Sequence, residues 1–308
     1  MRMNKGVEEL RQIATQIRID IVKMLVQAGS GHLGGSLSVT DILVALYFNH
    51  MNIDPKNPCW EGRDYLILSK GHVCPALYAV LARAGYYPPE EMLTLRQLGG
   101  RLEGHPCKSR GLPGIEVSTG SLGQGIGVAG GIALGLKIDK KPNRVYSVNG
   151  DGELDEGSVW ESVMSAGHYK LDNLTMIVDN NDLQIDGRIK DVMNLYPLKE
   201  KFLAFNWNVI ECDGHDFKQL VDSLKKAEAT KGKPTVIIAK TVKGKGVSFV
   251  EDKAEWHGKA PKPDEAVKAL KELYALRNEV GRWKGATVEL KPPKIAKELE
   301  ALELEFAH

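Results

Sequence analysis

Apolar side chains recur at Leu10, Ile13, Ile17, Ile21, Met24 and Leu25, the spacing of one helix face. That spacing predicts a helix over 7–28, ended by Gly29. The same periodicity predicts a helix over 39–50, with Ile42, Leu43, Leu46 and Tyr47 inward, and another over 72–83. A small-residue helix is expected over 123–136, and further helices over 159–169 and 217–229. Between them lie short apolar runs at 64–68, 144–149, 174–179, 208–212 and 235–239, which read as buried strands. Strands alternating with helices predict an α/β fold with a mostly parallel central sheet flanked by helices. No internal repeat is visible. After His257 the pattern changes. The stretch 259–264 holds two prolines and reads as a linker, 265–278 as a helix, Pro292-Pro293 as a break, and 295–306 as a charged helix. The expected division is a chemistry-bearing domain over 1–260 and a linker with a helical tail over 261–308.

Composition adds exclusions. The 308 residues are 43% hydrophobic and 26% charged, ordinary values for a folded chain. Lys plus Arg (41) balances Asp plus Glu (40), which argues against a nucleic-acid partner and leaves room for a local basic pocket. The cysteines Cys59, Cys74, Cys107 and Cys212 form no C-x-x-C pair, so no zinc site or disulfide framework is expected, and a reducing compartment is. No apolar run reaches the ~18 residues of a membrane span. The first residues lack the apolar core of a signal peptide, which points to the cytoplasm and to no membrane partner.

Two short segments carry the sharpest chemistry. Gly150-Asp151-Gly152 closes one expected strand and Asp179-Asn180-Asn181 closes the next, at the ends where open α/β sheets bind ligands. Singly, Asp-Gly and Asn-Asn are turn signals. Paired across one helix and one strand, they suit a diphosphate held through a hard cation. Magnesium takes oxygen ligands in octahedral order and keeps few from the protein. Asp151 offers a carboxylate oxygen, Asn181 an amide oxygen and Leu183 a backbone carbonyl. Phosphate oxygens and water would complete the shell. Gly152 lets a phosphate approach the backbone, and the helix that follows offers its N-terminal N–H groups.

The string GDGELDEGSVWESVMSAGHYKLDNLTMIVDNNDLQIDG, from Gly150 to Gly187, resembles the transketolase form of the thiamine-diphosphate fingerprint. Ala28-Gly29-Ser30-Gly31-His32-Leu33-Gly34-Gly35-Ser36, Ser69-Lys70-Gly71-His72, Gly104-His105-Pro106, Thr119-Gly120-Ser121-Leu122-Gly123-Gln124-Gly125 and Trp256-His257-Gly258 are similar to the family's other motifs, in order. The similarity runs from about residue 7 to 260. It implies a thiamine-diphosphate-binding fold in which Asp151, Asn181 and the Leu183 carbonyl hold Mg2+, or another divalent cation such as Ca2+ or Mn2+. His72, Gly120, Ser121, Leu122, Gly152, Asn181 and His257 would line the cofactor. His32, His72, His105 and His257 would gather round the thiazolium and the sugar hydroxyls as catalytic groups. Glu156 would join a carboxylate network linking two active sites. So many histidines fit a polyol substrate, because a neutral imidazole accepts or shares a hydroxyl proton near neutral pH.

A single-chain transketolase continues past this region into a pyrimidine-binding domain, which carries the glutamate that activates the cofactor, and a C-terminal domain. The resemblance therefore implies a split enzyme. A separate C-terminal subunit would carry the pyrimidine-binding domain, and two of each chain would form a heterotetramer. Together they would move a two-carbon ketol unit from a ketose phosphate to an aldose phosphate, in the pentose phosphate pathway. Alternatives are half of a deoxyxylulose-phosphate synthase, the alpha chain of a 2-oxo acid dehydrogenase, a transketolase specialised for another sugar phosphate, and a non-catalytic cofactor-binding module. Plainer readings apply elsewhere. His168 and His215 fit satisfied structural side chains, and His50 and His308 carry no motif. The 240–245 loop either contacts phosphate or is solvated. Gly34-Gly35 and Gly130-Gly131 fit backbone packing, and Trp60, Trp160, Trp207 and Trp283 fit core or interface. The tail helix is either solvated or a docking arm.

Overall fold

A computed structural model describes residues 1–306; His308 lies outside them. The strands are β1 (Tyr65–Leu68), β2 (Val145–Gly150), β3 (Leu174–Asn180), β4 (Asn208–Asp213) and β5 (Thr235–Lys240). They pair in parallel throughout, in the order β1-β2-β3-β5-β4. The helices are α1 (Val7–Ala28), α2 (Leu33–Ala45), α3 (Cys74–Ala84), α4 (Gln124–Ile138), α5 (Gly157–His168), α6 (Ile189–Val192), α7 (Leu198–Ala204), α8 (Phe217–Ala229), α9 (Pro263–Val280) and α10 (Ala296–Glu305).

Alternate strand residues serve opposite faces, as the pleat requires. Tyr146, Val148, Ile177, Ile237 and Ala239 join a core built with α1, α2, α3, α8 and α9. Val145, Met176, Val178, Val236 and Ile238 join a second core with α4, α5 and α7. The sheet is thus sandwiched between helical layers, which explains why its strands read as continuous apolar runs. On α4 the sequence is apolar or glycine at nearly every position, yet Val128 and Ile138 are exposed.

Helix α1 is buried along most of its circumference, and its charges are matched inside: Arg18 with Asp41, Asp20 with Arg83, and Lys23 with Glu289. Gly29 ends it at φ 68°, where its N–H donates to the Leu25 carbonyl. The expected helix over 39–50 instead begins at Leu33. Gly34 lies inside it because a Cβ there would sit 2.9 Å from the Trp256 carbonyl oxygen. Two helices without an expected counterpart, α6 and α7, follow β3. Beyond residue 260, α9 packs along α1 with Ala269, Leu270 and Leu273 fully buried, and α10 buries Leu299 and Leu302. Among the described residues no helix is long and apolar enough to cross a membrane.

Candidate functional site

The carboxyl ends of β2, β3 and β5 open into a cleft of about 540 Å³. Asp151 follows the last residue of β2. One carboxylate oxygen accepts the Gly152 N–H at 2.9 Å and the other accepts the Asp182 N–H, so the group is locked between the ends of β2 and β3. Burial, reinforced by nearby Asp179, pushes its pKa up to about 7. Asn181 accepts the Leu183 N–H at 3.2 Å and donates to Asp179 at 3.4 Å. Asp151, Asn181 and Leu183 all line the cleft. Among the described residues, no three His, Cys, Asp or Glu side chains converge as a metal cage. This donor set offers one carboxylate, one amide and one carbonyl. It fits a magnesium ion that takes its remaining ligands from phosphate and water. The added positive charge would also favour the ionised form of Asp151.

Two buried ammonium groups share the cleft. Lys70 pairs with Asp179, which also accepts from Ser38 Oγ at 2.6 Å and from Thr241 Oγ1. Although burial pushes Asp179 upward, Lys70 holds its carboxyl below the usual range. Lys243 donates to the Leu183 carbonyl at 3.1 Å and contacts His257 Nδ1 at 3.0 Å. Burial lowers its pKa to about 8, against the pull of Asp151. Lys70 stands in the Ser69–His72 motif and Lys243 in the 240–245 loop, and neither position alone assigns the side chain a role. The available signal was a lysine beside a glycine in each motif. Glu153 was missed altogether. Its carboxylate accepts from Ser69 Oγ and from the N–H groups of Gly123 (2.9 Å) and Gly150 (3.0 Å), tying together the segments after β1, before α4 and at the end of β2.

Three of the four singled-out histidines meet above this cation-rich floor. Ring centroids lie 4.9 Å apart for His32 and His72, 5.0 Å for His72 and His257, and 5.7 Å for His32 and His257. Burial, aided by Arg96, lowers His32 to about 4; burial and Lys243 lower His257 to about 3; burial and Lys70 hold His72 well below its ordinary value. All three are neutral at pH 7. His105 lies farther out: it is exposed and packs on Gly120, where a Cβ would lie 3.3 Å from the ring. Of the expected cofactor-lining residues, His72, Leu122, Gly152, Asn181 and His257 line the cleft. Gly120 and Ser121 lie outside its lining. Glu156 is exposed at the start of α5, close to Gly123. His168 is exposed, and His215 is hydrogen-bonded on both ring nitrogens.

Residues 10–281 match the family described as transketolase, thiamine diphosphate binding domain. One subunit of a 6-deoxy-6-sulfo-D-fructose transketolase from Clostridium sp. (strain MSTE9) is 43% identical over 94% of this chain and 98% of its own length. One subunit of the apulose-4-phosphate transketolase from Actinobacillus succinogenes is 44% identical over 88% of this chain and 98% of its own. Human transketolase is 42% identical over 87% of this chain but only 42% of itself. Among solved structures, transketolase from Campylobacter jejuni superposes with a TM-score of 0.83 at 31% identity, covering 98% of this chain and 48% of that one. The chain thus spans about half the length of the solved transketolase it matches, and nearly all of the two shorter relatives.

Proposed function

Because the chain belongs to the transketolase family, as its thiamine-diphosphate-binding domain, we propose that it is the cofactor-holding subunit of a two-chain transketolase. A separate subunit with the pyrimidine-binding domain would complete each active site in a heterotetramer in the cytoplasm. The reaction is transfer of a two-carbon ketol unit from a ketose bearing an anionic group to an aldose. The two relatives of matching length are named for 6-deoxy-6-sulfo-D-fructose and apulose 4-phosphate, which favours a specialised sugar over the pentose phosphate pathway.

The observation that carries the reading is one cleft with Asp151, Asn181 and the Leu183 carbonyl at its floor, Lys70 and Lys243 beside them, and neutral histidines above. In that reading Asp151, Asn181 and Leu183 hold Mg2+, and Lys70, Lys243 and the Gly152 N–H face the diphosphate. Thiamine diphosphate, when bound, supplies a nucleophilic carbon and an electron sink. The histidines divide the proton work. Lys243 donates to His257 Nδ1, so His257 carries its own proton on Nε2 and acts as a hydrogen-bond donor. His32 and His72, uncharged and packed against His257, are left as hydrogen-bond acceptors for a substrate hydroxyl. Glu156, at the surface beside α4, is the carboxylate we assign to the link between paired active sites.

The test is ketol transfer by this chain mixed with its pyrimidine-domain subunit, thiamine diphosphate and magnesium, with each chain alone as control. Turnover confined to the mixture supports the reading. A mixture that forms no complex by size measurement removes the two-chain assembly.

A further inference from the structure

The loop that carries Lys243 into the cleft is pinned at four backbone points, one of them at Lys243, whose carbonyl accepts from the Asp252 N–H at 2.9 Å. The Thr241 N–H donates to the Asn180 carbonyl at 3.0 Å, and the Gly244 N–H to the Gly34 carbonyl at 2.9 Å. Between them the Val242 N–H donates to His215 Nε2 at 2.9 Å. That point alone depends on a side chain.

His215 is itself held from three directions. Its backbone N–H donates to Asp213 Oδ1 at 2.8 Å, and Gly214 allows the turn to press against β5, since a Cβ there would lie 2.5 Å from Thr241 Cγ2. Its Nδ1 lies 2.7 Å from Asp41 Oδ2. Asp41 is fixed in turn by both arms of Arg18, at 3.0 and 2.7 Å, and Arg18 also donates to the Leu37 carbonyl. Because Nε2 accepts from Val242, the ring proton sits on Nδ1 and points at the carboxylate. One tautomer satisfies both partners. The chain of contacts runs from α1 through α2 and the β4–α8 turn to the loop bearing Lys243.

We propose that His215 is a positioning residue for the cofactor site: by fixing the Val242 N–H it sets where Lys243 Nζ stands against the Leu183 carbonyl and His257. This places a functional duty on a histidine in a D-G-H-D turn, outside the four-histidine set. The consequence for diphosphate binding rests on the function proposed above; the positioning itself does not.

Two substitutions separate the imidazole's two contacts. His215→Gln keeps an acceptor at the ε position for Val242 and gives up Asp41. His215→Asn keeps a donor at the δ position for Asp41 and gives up Val242. In the ligand-free chain, amide exchange at Val242 and acylation of Lys243, read on its peptide by mass spectrometry, should rise on the order of tenfold in His215→Asn. His215→Gln should stay within about twofold of the parent. An asparagine variant that labels like the parent, or a glutamine variant loosened as much as the asparagine one, overturns the proposal. Calorimetry with thiamine diphosphate and magnesium supplies the second readout. Affinity should fall about tenfold in His215→Asn, and that loss should vanish when both proteins being compared carry Lys243→Met. An equal loss in the Lys243→Met background would mark a general structural defect and also overturn it. Failure of the parent chain to bind the cofactor even with the pyrimidine-domain subunit present would count against the proposed function, while exchange and labelling would still decide the role of His215.

Discussion

The floor and the roof of the cleft are built on opposite principles. At the floor nearly every polar group is already bonded within the protein: Asp151 to two backbone N–H groups, Asn181 to Leu183 and Asp179, and Lys70 to Asp179. At the roof His32, His72 and His257 are packed ring to ring, and His32 Nδ1 is buried without a hydrogen-bond partner among the described residues. A floor made this way is preorganised for a fixed, highly charged ligand, with no side chain left to reorganise. A roof of neutral, lightly tethered imidazoles suits a group whose hydroxyls and protons change during a reaction.

Replacing Lys70 should have the largest effect. Lys70→Ala leaves Asp179 charged in the interior, and the unfolding free energy of the ligand-free chain should fall by about 3–5 kcal/mol. Urea denaturation measures this; a loss under about 1 kcal/mol would mean that the floor is less dependent on the pair than its burial implies. Next comes Asp151→Ala, for which calorimetry should find thiamine diphosphate affinity in magnesium reduced on the order of 100-fold. The roof should behave differently. His32→Ala should change cofactor affinity by less than about tenfold, since at most one hydrogen bond is at stake. An effect as large as that of Asp151→Ala would erase the distinction between the two ends.

The two ends also differ in the pH dependence they lend to stability. In the unfolded chain His32 and His257 take up protons near their ordinary value of about 6.5. In the folded chain they do so only near 4 and near 3. Between those values the unfolded state binds more protons, so stability falls as pH drops from about 6.5 towards 4 and levels off below the folded values. His50, buried beside Tyr146 and lowered by burial to about 4, adds to the same slope. A double variant, His32→Gln with His257→Gln, should therefore flatten the thermal-midpoint profile in part. An unchanged profile would show that roof burial does not control protonation.

Much of this architecture could be read along the chain, and the exceptions have physical causes. Helices α1 and α8 match their expected limits, because each has a clean apolar stripe and a definite end. The start of α2 lies earlier than expected because two glycines weaken the helical signal, and their place in a helix follows from distant neighbours: the Trp256 carbonyl and Lys243 at Gly34, and Val73 at Gly35. Helix α7 spans seven residues with Leu198 and Phe202 inward, too few for periodicity to register. In the site, the meeting of Asp151, Asn181 and Leu183 could be anticipated because each ends or follows a strand of one sheet. The roles of Glu153 and His215 could not, since both depend on partners distant in sequence: Gly123 and Ser69 for the first, Asp41 and Val242 for the second.

Asp179 has one further consequence. It takes hydrogen bonds from Ser38 on α2, Lys70 after β1, Asn181 after β3 and Thr241 after β5, so four separate stretches of chain converge on one carboxylate. A substitution at any of these positions must be accommodated by all the others at once, which leaves the floor little freedom to drift. The exposed rim around Arg96 and His105 is free of that constraint: among the described residues the Arg96 side chain holds only Ser30 and the Gly104 carbonyl, so a single change there can be made without dismantling the rest.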